Sequence, residues 1–198
     1  MMLSMMVARV MRSMKGIAPG TYGYNDIVDM FNEGQRELSV ISSKIAVAEI
    51  EVDAGDNAVD MPVDILSLSG VRWTSQSTSR MLTPTKDYLP NDHNETVSEP
   101  YRYYTHNRQI LIRPTPGVDG VLSIEYIPVP PPLEDDEDTP YLEGSEDFLI
   151  ANALFKMHLE MGTPMMQIWE QERRKHMGHY VATTDQNYAT PFEGDLIW

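Results

Sequence analysis

"RQILIRPTPGVDGVLSIEYIPVPPPLEDDEDTP", residues 108–140, is the stretch on which the fold turns. Its "QILIR" and "VLSIEYI" parts alternate apolar and polar side chains, the period of a strand with one buried face. The "TPGVDG" between them has the composition of a turn. With the aromatic run "YRYYTH" before it and a tight turn at His106-Asn107, the pattern predicts three antiparallel strands in a meander. Pro128 and Pro130 to Pro132 then stop the ladder, because proline cannot donate to it. Five consecutive acids, Glu134 to Asp138, follow, and they read as a solvated linker rather than an EF-hand loop, which needs a glycine and spaced ligands.

Beyond the acids the period becomes helical. Ser145 is the expected N-cap of "EDFLIANALFKMHLEM", with Glu146 and Asp147 favourably placed in the first turn and Gly162 at the end. Apolar residues fall on nearly every face of that helix, which predicts a central position. Thr163-Pro164 reads as N-cap and first position of a last helix, "MMQIWEQERRKHMGHYV". The remaining "ATTDQNYATPFEGDLIW" has no period.

Before the β-region the chain is also helical. Leu3, Met6, Val7, Val10, Met14 and Ile17 recur at helical spacing in the methionine-rich start. A second helix is expected from Asn25 or Asp26, with Ile27, Phe31, Gly34, Leu38, Ile41 and Ile45 on one seam, where Gly34 would admit a second helix closely. "AVAEIEVD" then alternates, with Val47, Ile50 and Val52 among acids, and Ile65, Leu66, Leu68, Val71 and Trp73 have strand character. "SQSTSRMLTPTKDYLPNDHNETVSEP" is polar and broken by Pro84, Pro90 and Pro100, as in a long exposed loop with a short strand at Met81 and Leu82.

The expected fold class is therefore α+β: a four-helix bundle-like core, an antiparallel β insertion between the second and third helices, and an extended C-terminal arm. The divisions are 1–45 and 141–183 for the two halves of the helical core, 46–140 for the insertion with its long loop 74–100, and 184–198 for the arm. A chain of 198 residues can bury one good core and accommodates one or two compact units.

Fifteen basic against 30 acidic residues give a net charge of -15, which opposes the counterion release behind most binding to nucleic acid or anionic lipid. The chain has no cysteine, which excludes disulfides and thiolate metal sites. The apolar start is interrupted by Ser4, Arg9, Arg12 and Lys15 and lacks an A-x-A-like cleavage site, so it reads as an amphipathic helix rather than a signal peptide. No run of 18 apolar residues predicts a membrane span.

Chemistry-bearing patterns are sparse. His176 and His179, with Glu172 one turn before, could share a metal, yet Arg173, Arg174 and Lys175 beside them oppose its loading. Those three basic residues read more readily as a contact to an acidic protein partner than to DNA phosphates. Tyr101, Tyr103 and Tyr104 could stack sugars or bases, although half-buried strand aromatics explain them as well. His93 and His106 have no serine or cysteine nucleophile motif nearby, so no hydrolytic triad can be assembled and no cofactor is called for. Phe192, Leu196, Ile197 and Trp198 are too apolar to hang in water without cost, so the segment either packs back on its own domain or, the favoured reading, is an arm that docks on a neighbour. The rival readings are a carbohydrate-binding or adhesin β-module using the tyrosines and a metal-binding enzyme using the C-terminal histidines.

Taken in order, "NDIVDMFNEGQRELS", "MPVDILSLSGVRW" leading to "MLTPTKDYL", "PYRYYTHNRQILIRPTPGVDGVLSIEYIPVPPPL", an acidic link ending in "TPYLEG", and a closing helical pair resemble the head-to-tail adaptor, or head-completion, proteins of tailed bacteriophages. The resemblance spans roughly residues 24 to 180 and is nearest to the short-tailed phage type. It implies a non-enzymatic virion protein of the head-tail neck, assembled in the host cytoplasm. It further implies a homo-oligomeric ring of about 12 copies joining the portal protein to a tail nozzle or tube protein. DNA would pass through the ring's channel without sequence-specific binding during genome ejection. Within that frame the arm with Phe192, Leu196, Ile197 and Trp198 is the expected portal or inter-subunit contact, and Arg80, Lys86, Tyr88 and His93 mark a tail-side loop.

Overall fold

The computed structural model describes residues 1–42, 44–86 and 97–188. Among these, four helices and eight strands make a mixed α+β chain divided into two compact units. One unit is Met1–Ser43 with Pro130–Trp198; the other is Lys44–Val129. The chain therefore crosses between units twice, and the proline and acid stretch belongs to the helical unit.

The helical unit contains α1 (Leu3–Ser13), α2 (Tyr24–Ser42), α3 (Glu146–Glu160) and α4 (Met166–Tyr188). A bundle of four equivalent helices is not what forms: α3 packs against each of the other three and acts as their hub. The reason lies in its composition, since Phe148, Leu149, Ile150, Ala151, Ala153, Leu154 and Met157 are buried around its whole circumference. The other helices present stripes to it. Leu3, Met6, Val7 and Val10 are buried on α1, and Ile27, Phe31, Gly34 and Leu38 on α2. Ile41 and Ile45, expected on the same seam, are exposed. Gly34 permits the close approach of α2 to α3: a Cβ there would lie 2.9 Å from both Leu149 Cδ2 and Asn152 Nδ2.

The helix ends depart from expectation in instructive ways. The α2 start is fixed by Asp26 reaching back to the N–H of Gly23 at 2.7 Å, one half of a capping box, so the helix begins before Asn25. Ser145 precedes α3 without a side-chain cap bond. Thr163 does not cap α4 with its hydroxyl, which lies 2.6 Å from Nδ1 of His158 instead. At the end of α3, Gly162 takes φ 61°, its N–H donates to the carbonyl of Leu159, and the N–H of Thr163 donates to that of His158. This is the Schellman arrangement that glycine favours. Finally, α4 runs to Tyr188, past the point where the sequence period gives out.

The β unit has two four-stranded sheets. β1 (Ala46–Val52), β8 (Gly120–Pro128), β3 (Ile65–Thr74) and β4 (Ser79–Met81) form one in that order. β2 (Ala58–Asp60), β7 (Gln109–Arg113), β6 (Arg102–His106) and β5 (Thr83–Pro84) form the other, antiparallel except for the β5–β6 pair. The expected meander is thus corrected. β6 and β7 form a hairpin, but β8 leaves it for the other sheet, between β1 and β3. Pro114 and Pro116 in the connection withhold the donors that would have continued the β7 ladder. The hairpin turn lies one residue later than predicted, with Asn107 and Arg108 at φ 49° and 62°. Two positive φ values in succession match the twist of a two-residue hairpin.

Both sheets contribute to one core, with Val71, Trp73, Leu122 and Ile124 from the first and Val59, Tyr103, Ile110 and Ile112 from the second. On β1 the inward face carries Ala46, Ala48, Ile50 and Val52, whereas Val47 points outward. No described helix is long and apolar enough to cross a membrane.

Candidate interaction surfaces

The acid stretch is a strap rather than a free linker. Asn32 on α2 accepts from the N–H of Leu133 at 2.7 Å and donates to its carbonyl at 3.2 Å. Gln35, one turn on and buried, accepts from the N–H of Tyr141 at 2.8 Å. Between these clamps the carboxylate of Asp138 accepts the N–H groups of Glu134 and Asp135 at 2.8 and 2.9 Å, closing a turn. Those two backbone donors hold the Asp138 carboxyl below its ordinary range. Tyr24 donates its hydroxyl to Asp136 at 2.5 Å, and that bond is the main reason its pKa is pushed up to about 12. Tyr22, paired with Glu160 at 2.8 Å, is also raised to about 12, chiefly by burial.

Strap and α2 enclose a groove of about 600 Å³. Val28 and Leu133 give it apolar walls, and Asp29, Glu33, Glu134 and Arg36 also line it. Sequence reasoning missed this groove, because residues 28 and 133 lie far apart in sequence and are brought together by packing and by the Asn32 and Gln35 bonds to the strap.

The basic run on α4 is largely matched internally. Arg173 is ion-paired with Glu37 and lies over the Phe155 ring at 5.2 Å. Arg174 meets Glu170 at 2.6 Å and Lys175 meets Glu172 at 3.0 Å. Arg174 and Lys175 remain well exposed, so both can reach outward, while Arg173 is held between α2 and α3. Glu172 also lies 3.5 Å from His176, so its carboxylate is shared between two side chains of its own helix. Among the described residues no group of three or more His, Cys, Asp or Glu is placed to hold a metal ion.

On the β unit, Glu99 is the centre of a polar knot. It accepts from Ser77 at 2.6 Å, from Thr78, from Arg80 at 3.0 Å and from Ser75 at 3.3 Å. These donors, Ser77 and Thr78 foremost, hold its carboxyl down at about 2. Arg80 therefore has a local role in fixing the start of the predicted tail-side loop, whereas Lys86 is exposed. Tyr88 and His93 of the same loop lie outside the described residues, as do Phe192, Leu196, Ile197 and Trp198 of the arm. Tyr103 and Tyr104 are both buried, and only Tyr101 is exposed, so the three tyrosines do not form an open stacking platform.

A family model, described as SU10 adaptor protein, matches residues 1–194. The chain belongs to that family. It is a structural adaptor of the phage head-tail type, as the resemblance implied, and hence a virion component. No curated protein matches the adaptor. With the family established, the strap, the groove and the exposed ends of the basic run are surfaces of a protein whose work is to bind other proteins.

Proposed function

We propose that the adaptor forms a closed ring of about a dozen copies through heterologous contacts between neighbours. The ring links the portal to the tail nozzle or tube and lets DNA pass on its way out. The observation that carries this reading is the family match over nearly the whole chain. The net charge of -15 supports it, because a lumen of like charge does not adsorb DNA.

In this reading residues 184–198, with Phe192, Leu196, Ile197 and Trp198, act as the arm that docks on the portal or on the next subunit. Arg80, Lys86, Tyr88 and His93 belong to a tail-facing loop, and the exposed Arg174 and Lys175, beside Arg173, contact an acidic partner. Light scattering of the purified chain, alone and mixed with the portal ring of the same phage, tests the proposal. Saturable binding near one chain per portal subunit is expected; a chain that stays monomeric and ignores the portal overturns it. Removal of residues 190–198 is expected to abolish binding, and undiminished binding would dismiss the arm.

A further inference from the structure

The outer face of α1 carries exposed apolar side chains. Leu3, Met6, Val7 and Val10 fill the buried stripe, yet Met2, Met5 and Met11 on other faces are 48, 57 and 45% exposed. Three large apolar side chains, Met2 just before this short helix and Met5 and Met11 on it, are a costly thing to leave in water, and unbranched methionine suits a surface that adapts to a partner. The charge is equally distinctive. Residues 1–25 contain Arg9, Arg12 and Lys15 and no acid, a net +3, so the remaining residues carry -18 of the total of -15.

This face is also held in place. The carbonyls of Asp138 and Asp136 accept the N–H groups of Leu3 and Ser4 at 2.8 and 3.2 Å, and Arg9 is tied to Asp147 on α3 at 2.7 Å. Arg12 is exposed and uses its Nε on the carbonyl of Ala8, which leaves the two Nη groups of its guanidinium for a partner. A partner would thus meet a prearranged apolar and basic surface.

Its complement is present on the same chain. The groove between α2 and the strap has apolar walls at Val28 and Leu133 and the carboxylates of Asp29, Glu33 and Glu134. Glu33 is engaged with Lys156 at 2.5 Å, and Arg36 is the groove's one cation among its described lining, so acids prevail. We infer that the methionine and arginine face of α1 docks into the acid-lined α2 groove of a second copy of this chain. Two different patches meeting head to tail give the kind of contact that closes into a ring when the rotation permits. The inference rests on the ring proposed above and names the surfaces that make it.

The absence of cysteine allows a direct test on the full chain. Met5→Cys and Glu134→Cys are introduced singly and together, and the assembled protein is treated with a short bis-maleimide. The double variant is expected to give a ladder of covalent multimers, and each single variant none. Arg12→Glu is expected to lower the assembled fraction at least tenfold, with recovery on adding Asp29→Arg. An assembly of unchanged mass that gives no ladder overturns the α1 contact while leaving the ring intact. Dimers from Met5→Cys alone mean that α1 meets α1, which also overturns it. Failure of the unmodified chain to assemble, alone or with the portal, overturns the ring and this contact together.

Discussion

The backbone N–H of Leu3 donates to the carbonyl oxygen of Asp138 at 2.8 Å, so the first turn of α1 is closed by a segment far along the chain. The first N–H groups of any helix lack partners within it, and Met2 before α1 has no side-chain acceptor to offer. Asp138 keeps its carbonyl in place by folding its own carboxylate onto the N–H groups of Glu134 and Asp135. Asp138→Ala is therefore expected to speed amide hydrogen exchange at Leu3 and Ser4, far from the substitution in sequence. Unchanged protection at those two amides would show that the strap is not what secures α1.

Gly34 invites a second test. Alanine gains about 1 kcal/mol of helix propensity over glycine, whereas forcing a methyl group into a filled contact costs about 1–3 kcal/mol. Both Leu149 and Asn152, the atoms it would meet at 2.9 Å, are fully buried. Gly34→Ala should come out near neutral or mildly destabilising, and Gly34→Val, bulkier and β-branched, clearly destabilising. Urea unfolding followed by helical circular dichroism separates them; equal midpoints would contradict the close packing of α2 on α3.

The Glu99 knot makes a prediction about acid. Its carboxyl is held at about 2 against an ordinary 4.5, so the unfolded chain binds a proton first as pH falls. The knot's contribution is complete above the ordinary value and is lost as pH drops from there through about 2. Glu99→Gln should flatten this acid slope in the β unit, read from tryptophan fluorescence. A slope identical to that of the unmodified chain would remove Glu99 from the account.

His158 works in a different window. Its side chain is fully buried, its Nδ1 faces the Thr163 hydroxyl, and burial lowers its pKa from the ordinary 6.5. Between the lowered value and 6.5 the unfolded chain binds the extra proton, so stability falls as pH drops below 6.5. His158→Gln should abolish that loss in the helical unit. If the variant and the unmodified chain decline in parallel between pH 7 and 5, the histidine is not responsible.

Periodicity made much of the fold legible. The stripe of α1, the Gly34 contact, the hub character of α3 and most strand segments follow from which side chains repeat at 3.6 or 2 residues. What periodicity cannot show is partnership. β8 has the same alternation whether it follows β7 in a meander or crosses to lie between β1 and β3. On β1 the apolar Val47 points outward because it shares its face with Glu49 and Glu51, while Ala46, Ala48, Ile50 and Val52 turn inward. Capping candidates were visible at Ser145 and Thr163, but Ser145 makes no side-chain cap bond and the Thr163 hydroxyl turns to the nearby His158 ring. For the interaction surfaces, the charges of Arg173, Arg174 and Arg80 were legible and their internal partners were not. The strap was the largest omission: a run of acids announces its charge, whereas its shape depends on Asn32 and Gln35 about a hundred positions earlier.

The double crossing between units also sets an order in time. Residues 44–129 form one continuous segment, complete when it leaves the ribosome, whereas α1 and α2 emerge first and must wait for α3. At about 5–20 residues per second, that interval is on the order of 5–20 s. During it the apolar stripes of the two leading helices have no hub to cover them, so the nascent adaptor is most open to chaperones and to misassociation before its last third is made. Released chains ending at residue 130 should accordingly resist proteolysis within 44–86 and 97–129 and be cut within 1–42, and equal resistance in both parts would refute this order.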